Sequence, residues 1–157
     1  MLPALVAHPG VARATTDSAR DLQRFISAQN AGGTFERATA ELRSGRKTGH
    51  WIWFVFPQIA GLGRSSTSRE FAISSLAEAE AYLRHPVLGP RLAECARILT
   101  DLRGRTAEQI FGALDAQKLR SCMTLFARAA PGEPLFGRVL SQYFADVPDP
   151  ATDQLLQ

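Results

Sequence analysis

Four residues within seven positions, Lys47, His50, Trp51 and Trp53, put a cation, a titratable imidazole and two flat aromatic faces side by side. Cations hold phosphates, and aromatic faces stack on nucleobases or nicotinamide-like rings, so the group has the chemistry of a nucleotide contact. The plainer alternative makes both tryptophans core and leaves Lys47 at the surface. Gln58 then leads into a loop that reads Gly61, Leu62, Gly63, Arg64, Ser65, Ser66, Thr67, Ser68. Its glycines permit close backbone approach. Its hydroxyls, Arg64 and the amides of the helix start that follows would favour a phosphate or carboxylate. Without a ligand, the same residues describe an N-cap with solvated serines.

Lys118 is the third element. It shares a helical row with Cys122, Leu125 and Ala129, which inclines it toward an apolar flank, and it falls in a first helical turn, where the helix dipole disfavours a cation. Breaking two local rules at once is a mark of a functional position. Snorkelling past the core edge, or a local pair with Asp115, would also account for it. Of the 18 basic residues only Lys47 and Lys118 are lysine, in a chain that otherwise uses Arg. Were there catalysis, His50 is the natural general acid or base, because its ordinary pKa lies nearest neutrality. Asp115 or Gln58 would orient it or the substrate.

Other chemistry is excluded by what the sequence lacks. There is no HExxH, no CxxC and no close cluster of His, Cys and Asp, so neither a metal nor another cofactor is expected. The glycine loop has neither the P-loop spacing nor its lysine, and no GxSxG elbow occurs. Cys122 falls in an apolar stripe with Leu119, Met123 and Phe126, which describes a core thiol rather than a nucleophile.

These residues must be carried by a frame of helices. At 157 residues and 45% apolar content the chain can bury a full core without disulfides. Its longest apolar run, the six residues from Trp51 to Phe56, is far too short to span a bilayer. The opening residues carry no basic leader, and a cytoplasmic location is expected. Residues 1–15 are expected to form a flexible N-terminal segment, and 16–157 a single helical domain.

Thr16 or Asp17 would cap a first helix reaching Gln29, and Thr34 a second ending at Gly45. Ser75 with Glu78 and Thr106 with Gln109 make capping boxes. Gly89 and Pro90 open a long helix that Gly104 ends, Asp115 caps the helix carrying Lys118, and Pro134 starts one more. The tail after it holds at most one turn. Pro57 biases Phe56 away from helix; an extended Trp51–Phe56 would put Trp51, Trp53 and Val55 on one face. With no second strand to pair it, the segment is best read as a buried crossing or short irregular helix. The fold class is all-α, with six or seven helices around that Trp-rich segment.

Four stretches, GRKTGHWIWFVFPQIAGLGRSSTS, EAEAYLRHPVLGPRL, IFGALDAQKLRSCMTLF and Phe136 to Phe144, resemble in order the signature blocks of the family known as domain of unknown function 1810. The resemblance implies a mainly α-helical single domain and lends no reaction. Lys47, His50, Trp51, Trp53, Gln58, Gly61, Gly63, Ser65, Ser68, Asp115, Lys118 and Ser121 stand on family-like positions, so both lysines match. Two departures are visible: Cys122 stands where Ser is more frequent in the family, and Ala145 where Gly is usual.

The net charge of +3 is regional. Residues 42–69 contain Arg43, Arg46, Lys47, Arg64 and Arg69 and no acid, while the other 13 basic residues face all 15 acids. A pocket for a small anionic, aromatic-bearing molecule follows, a nucleotide or an ADP-ribose-like metabolite. Lys47, Arg64 and Lys118 would balance its charge, the Gly61–Ser68 amides would hold a phosphate, and Trp51 or Trp53 would stack; Gln58 and Ser121 complete the expected lining. Hydrolysis or group transfer on a phosphorylated sugar would suit it. The alternative is a non-enzymatic interaction module that docks an acidic protein or nucleic acid through the basic segment. For nucleic acid the charge is weak. No membrane partner is expected.

Overall fold

Punctuation in the sequence becomes helix ends in the computed structural model, which describes residues 22–157. The flexible segment expected over 1–15 and the cap expected at Thr16 or Asp17 lie outside the described residues. α1 occupies 22–30 and runs through a short 3-10 turn, Ala31–Gly33, into α2, Thr34–Ser44. Then come α3 (Ile52–Val55), α4 (Ser66–Glu70), α5 (Leu76–Arg84), α6 (Leu88–Asp101), α7 (Ala107–Phe111), α8 (Ala113–Ala129), α9 (Leu135–Phe144) and α10 (Pro150–Leu155). The fold is all-α. No strand forms among the described residues; Ile59 and Ile73 make one isolated parallel bridge that closes the loop between α3 and α5.

α8 is the central element, with α5, α7, α9, α10 and α3 packed against it. Its buried row of Leu119, Cys122, Met123, Leu125 and Phe126 explains that position. Phe126 stacks between Tyr82 of α5 and Phe136 of α9, with centroids 5.3 and 6.0 Å away. Cys122 and Cys95 are both fully enclosed, and burial, with Glu94 adding to it at Cys95 and Cys95 adding to it at Cys122, pushes both thiols up. A thiolate is thereby disfavoured, as the stripe at Cys122 predicts.

Several helix ends differ from expectation. Thr34 is the first residue of α2 rather than its cap; Gly33, at φ 71°, makes the turn. Thr106 and Gln109 form the full capping box, whereas at Ser75 only half forms, because the Glu78 carboxylate accepts from the Ser74 amide instead. α6 starts one residue before Gly89 and stops at Asp101, ahead of Gly104. Asp115 does not cap α8: Gly112, at φ 80°, turns the chain between α7 and α8, leaving Asp115 inside the first turn with its carboxylate unspent.

The tail is more ordered than one turn. Asp149 is buried and caps α10, with Oδ2 accepting from the Thr152 amide at 3.0 Å, the Thr152 hydroxyl at 2.6 Å and the Ser121 hydroxyl at 3.1 Å. Oδ1 accepts from Gln117 Nε2 at 2.9 Å. Four bonds on one buried carboxylate fasten α10 to α8. Asp149→Ala should therefore cost about 3 kcal/mol in a urea titration, since the cap and the buried donors lose their partner together. Ala145 ends α9 at φ 53°, a left-handed conformation that strains any Cβ. Because its side chain is exposed, Ala145→Gly should raise stability by about 1 kcal/mol in the same assay.

Candidate functional site

The segment between α2 and α3 has little regular structure of its own, so its position must be imposed from outside. Glu41, on the last turns of α2, does most of this. Its Oε1 accepts from the Thr48 amide at 2.8 Å, the Gly49 amide at 2.9 Å and the Trp51 indole N–H at 2.9 Å. The Lys47 amide donates to the Ile110 carbonyl of α7 at 2.8 Å. Trp51 is consequently buried, against Phe56 and Phe111. Trp53, two residues on in the one-turn helix α3, points elsewhere and stays half-buried.

The two lysines meet on one carboxylate. Lys47 Nζ lies 2.7 Å from Asp115 Oδ2, and Lys118 Nζ 3.3 Å from Asp115 Oδ1. Each ammonium also stands over a tryptophan ring, Lys47 at 5.0 Å from the Trp51 centroid and Lys118 at 5.8 Å from that of Trp53. Because α8 starts at Ala113 rather than after Asp115, Lys118 stands in its second turn and not, as the sequence suggested, in the first; Asp115, one turn before it, supplies its counter-charge.

Two adjoining cavities open beside this group. The smaller, about 150 Å3, is lined by Trp53, Gln58, Gly61, Gly63, Ser68, Arg69 and Phe71 among others. The larger, about 270 Å3, is lined by Gln58, Leu62, Gly63, Leu114, Gln117, Lys118, Ser121, Asp149 and Ala151. Gln58 and Gly63 form their common wall. The Gln58 side-chain amide and the Trp53 indole N–H make no hydrogen bond within the described residues, and both residues line the smaller cavity. Gly63 is required by shape, since a Cβ there would fall 2.3 Å from Ser68 Cβ.

Other expected site residues fall outside this arrangement or are already engaged. His50 is exposed, lines neither cavity and makes no side-chain hydrogen bond; Asp115 and Gln58 do not orient it. Arg64 is exposed and lines neither cavity, and Trp51 belongs to the core. Ser65 accepts from the Ser68 amide at 3.1 Å and donates to the Ser68 hydroxyl at 2.9 Å, so this start of α4 is capped from within. The Ser121 hydroxyl serves Asp149. Sequence reasoning singled out neither Glu41 nor Asp149, and counted Arg69 only as charge. Asp149 followed by Pro150 was a readable helix start. Glu41 carries no such mark, because its partners are backbone amides brought to it by the fold. Among the described residues no group of His, Cys, Asp and Glu is arranged to hold a metal ion, and no helix is long and apolar enough to cross a membrane.

The family described as "Protein of unknown function (DUF1810)" matches residues 19–156. Among solved structures, the chain is similar to the crystal structure of the conserved hypothetical protein Rv1873 from Mycobacterium tuberculosis. The two are 48% identical, with 87% of this chain and 96% of that one covered at a TM-score of 0.84. No curated protein matches the chain significantly.

Burial pushes the Glu41 carboxyl up, but the Gly49 and Thr48 amides, the Trp51 indole and the Thr48 hydroxyl outweigh it and hold the group below its usual value of 4.5. A depressed carboxyl stabilises the fold above its unfolded pKa and ceases to do so as pH falls through the folded one. Wild type should therefore exceed Glu41→Gln in stability at pH 7, and the gap should narrow below about pH 4. Urea unfolding of both proteins at pH 7 and pH 3 checks this.

Proposed function

We propose that this chain, which belongs to the DUF1810 family by a match spanning residues 19–156, binds a small anionic molecule that carries an aromatic ring, of the nucleotide or ADP-ribose-like kind. What supports this above all is the convergence of Lys47 and Lys118, from separate segments, on Asp115 beside two cavities that share Gln58. An aromatic ring would enter the smaller cavity, against Trp53 and Phe71, where the unspent Gln58 amide can read a polar ring edge. The anion would lie toward Lys118 in the larger cavity. Leu114, 80% exposed on the rim, would cover apolar parts of the ligand.

Hydrolysis or group transfer on a phosphorylated sugar remains the reaction class the residues suit, with Asp115 and Lys118 as the polar groups at hand. In this reading His50 has no part in it, on the ground that it is exposed and lines neither cavity. Docking of an acidic protein or nucleic acid is less favoured by the basic segment, because its charges diverge. Arg43 is paired with Glu94 at 3.2 Å, Lys47 turns inward, and Arg69 faces the smaller cavity.

Thermal-shift screening against nucleotides and ADP-ribose tests the proposal. A ligand at a hundred times its dissociation constant contributes about 2.7 kcal/mol, which should raise the wild-type midpoint by about 5–10 °C and leave Lys118→Ala nearly unmoved. Equal shifts in both proteins, or none in either, would count against this pocket.

A further inference from the structure

The two lysines do not hold equivalent places. Lys47 is 6% exposed in its side chain and lines neither cavity. An ammonium has three protons, and those of Lys47 have three recipients: Asp115 Oδ2 at 2.7 Å, the Gly49 carbonyl at 2.5 Å and the face of Trp51. Lys118 is 25% exposed, lines the larger cavity and is held by the longer 3.3 Å contact to Asp115. Beyond that contact and the Trp53 ring it has no partner among the described residues, so a donor remains for a ligand.

We infer that Lys118 alone meets the ligand's anion, while Lys47 and Asp115 are positioning residues: Lys47 cancels the Asp115 charge that would otherwise repel the anion and retain Lys118. This rests on the pocket proposed above and assigns the roles within it. The group carries two cations and one carboxylate, a net charge of +1. Removing Lys47 brings it to zero with the carboxylate left facing Lys118. Removing the Asp115 charge as well restores +1 without returning Lys47. A residue that touched the ligand could not be compensated in this way.

The test is a double-substitution cycle with ADP-ribose as probe, read by calorimetry at low and moderate salt on wild type, Lys118→Met, Lys47→Met, Asp115→Asn and the Lys47→Met/Asp115→Asn pair. Near-ultraviolet circular dichroism establishes that each is folded. Lys47→Met strands a carboxylate, so the double variant, in which both charges are gone, keeps the test decisive if the single one unfolds. Lys118→Met should abolish binding. Lys47→Met should weaken it by about tenfold, Asp115→Asn should tighten it, and the double variant should return to within about threefold of wild type. A double variant as weak as Lys47→Met, or an Asp115→Asn that binds no tighter, overturns the inference and leaves the pocket standing. If wild type and Asp115→Asn both fail to bind, the pocket falls with it.

Discussion

The charge balance of the candidate site turns on the ion pair between Lys47 and Asp115. It joins a segment without regular structure to the first turn of α8, the helix around which the rest of the core is packed. A nearly buried pair of this kind repays little of its desolvation cost in net stability, yet breaking it from one side leaves a charge without compensation. Its effect at the site is charge balance. The Lys47 backbone amide, bonded to the Ile110 carbonyl, fixes where the chain stands before α3, with Trp51 in the core and Trp53 on the cavity wall. Glu41 secures the same segment from the opposite side through two amides and an indole.

That the Asp115 carboxylate is left for the two lysines follows from a backbone feature. Gly112, at a positive φ that other residues adopt at a cost, lets α7 turn directly into α8 without a side-chain cap. Had Asp115 been the cap, its oxygens would have gone to backbone amides. As it is, the group faces both lysines and benefits from the positive end of the helix dipole. Lys118, one turn further along α8, finds its counter-charge there. The far side of the larger cavity is held by a different carboxylate, Asp149, whose hydrogen bonds bind α10 to α8. Both walls thus refer back to the same helix.

Much of the frame was legible because helix ends are local chemistry. Gly45, the Thr106 and Gln109 box and Pro134 are read from neighbouring residues, and the structure keeps them. The lysine pair stood out by contrast with an arginine-rich background. Periodicity alone did not decide the Trp51–Phe56 run, since six apolar residues satisfy strand alternation and a short helix equally; the lack of a second strand favoured a short irregular helix, and the one-turn α3 is that helix. The differing burial of Trp51 and Trp53 was not legible. Nor could the sequence tell which hydroxyls of the serine loop were free: Ser65 and Ser68 bond to one another, a consequence of the turn closing at Gly63. Glu41 was invisible for a deeper reason, as its role exists only once Thr48, Gly49 and Trp51 have been folded back over α2.

The two tryptophans allow the most direct examination, because each contributes one indole N–H resonance. That of Trp51 is buried and bonded to Glu41; that of Trp53 has no partner among the described residues, and its residue lines the smaller cavity. In a proton–nitrogen correlation spectrum, titration with ADP-ribose should displace the Trp53 indole signal progressively and leave that of Trp51 in place. Displacement of Trp51 with Trp53 unmoved, or of neither at saturating ligand, would contradict the account.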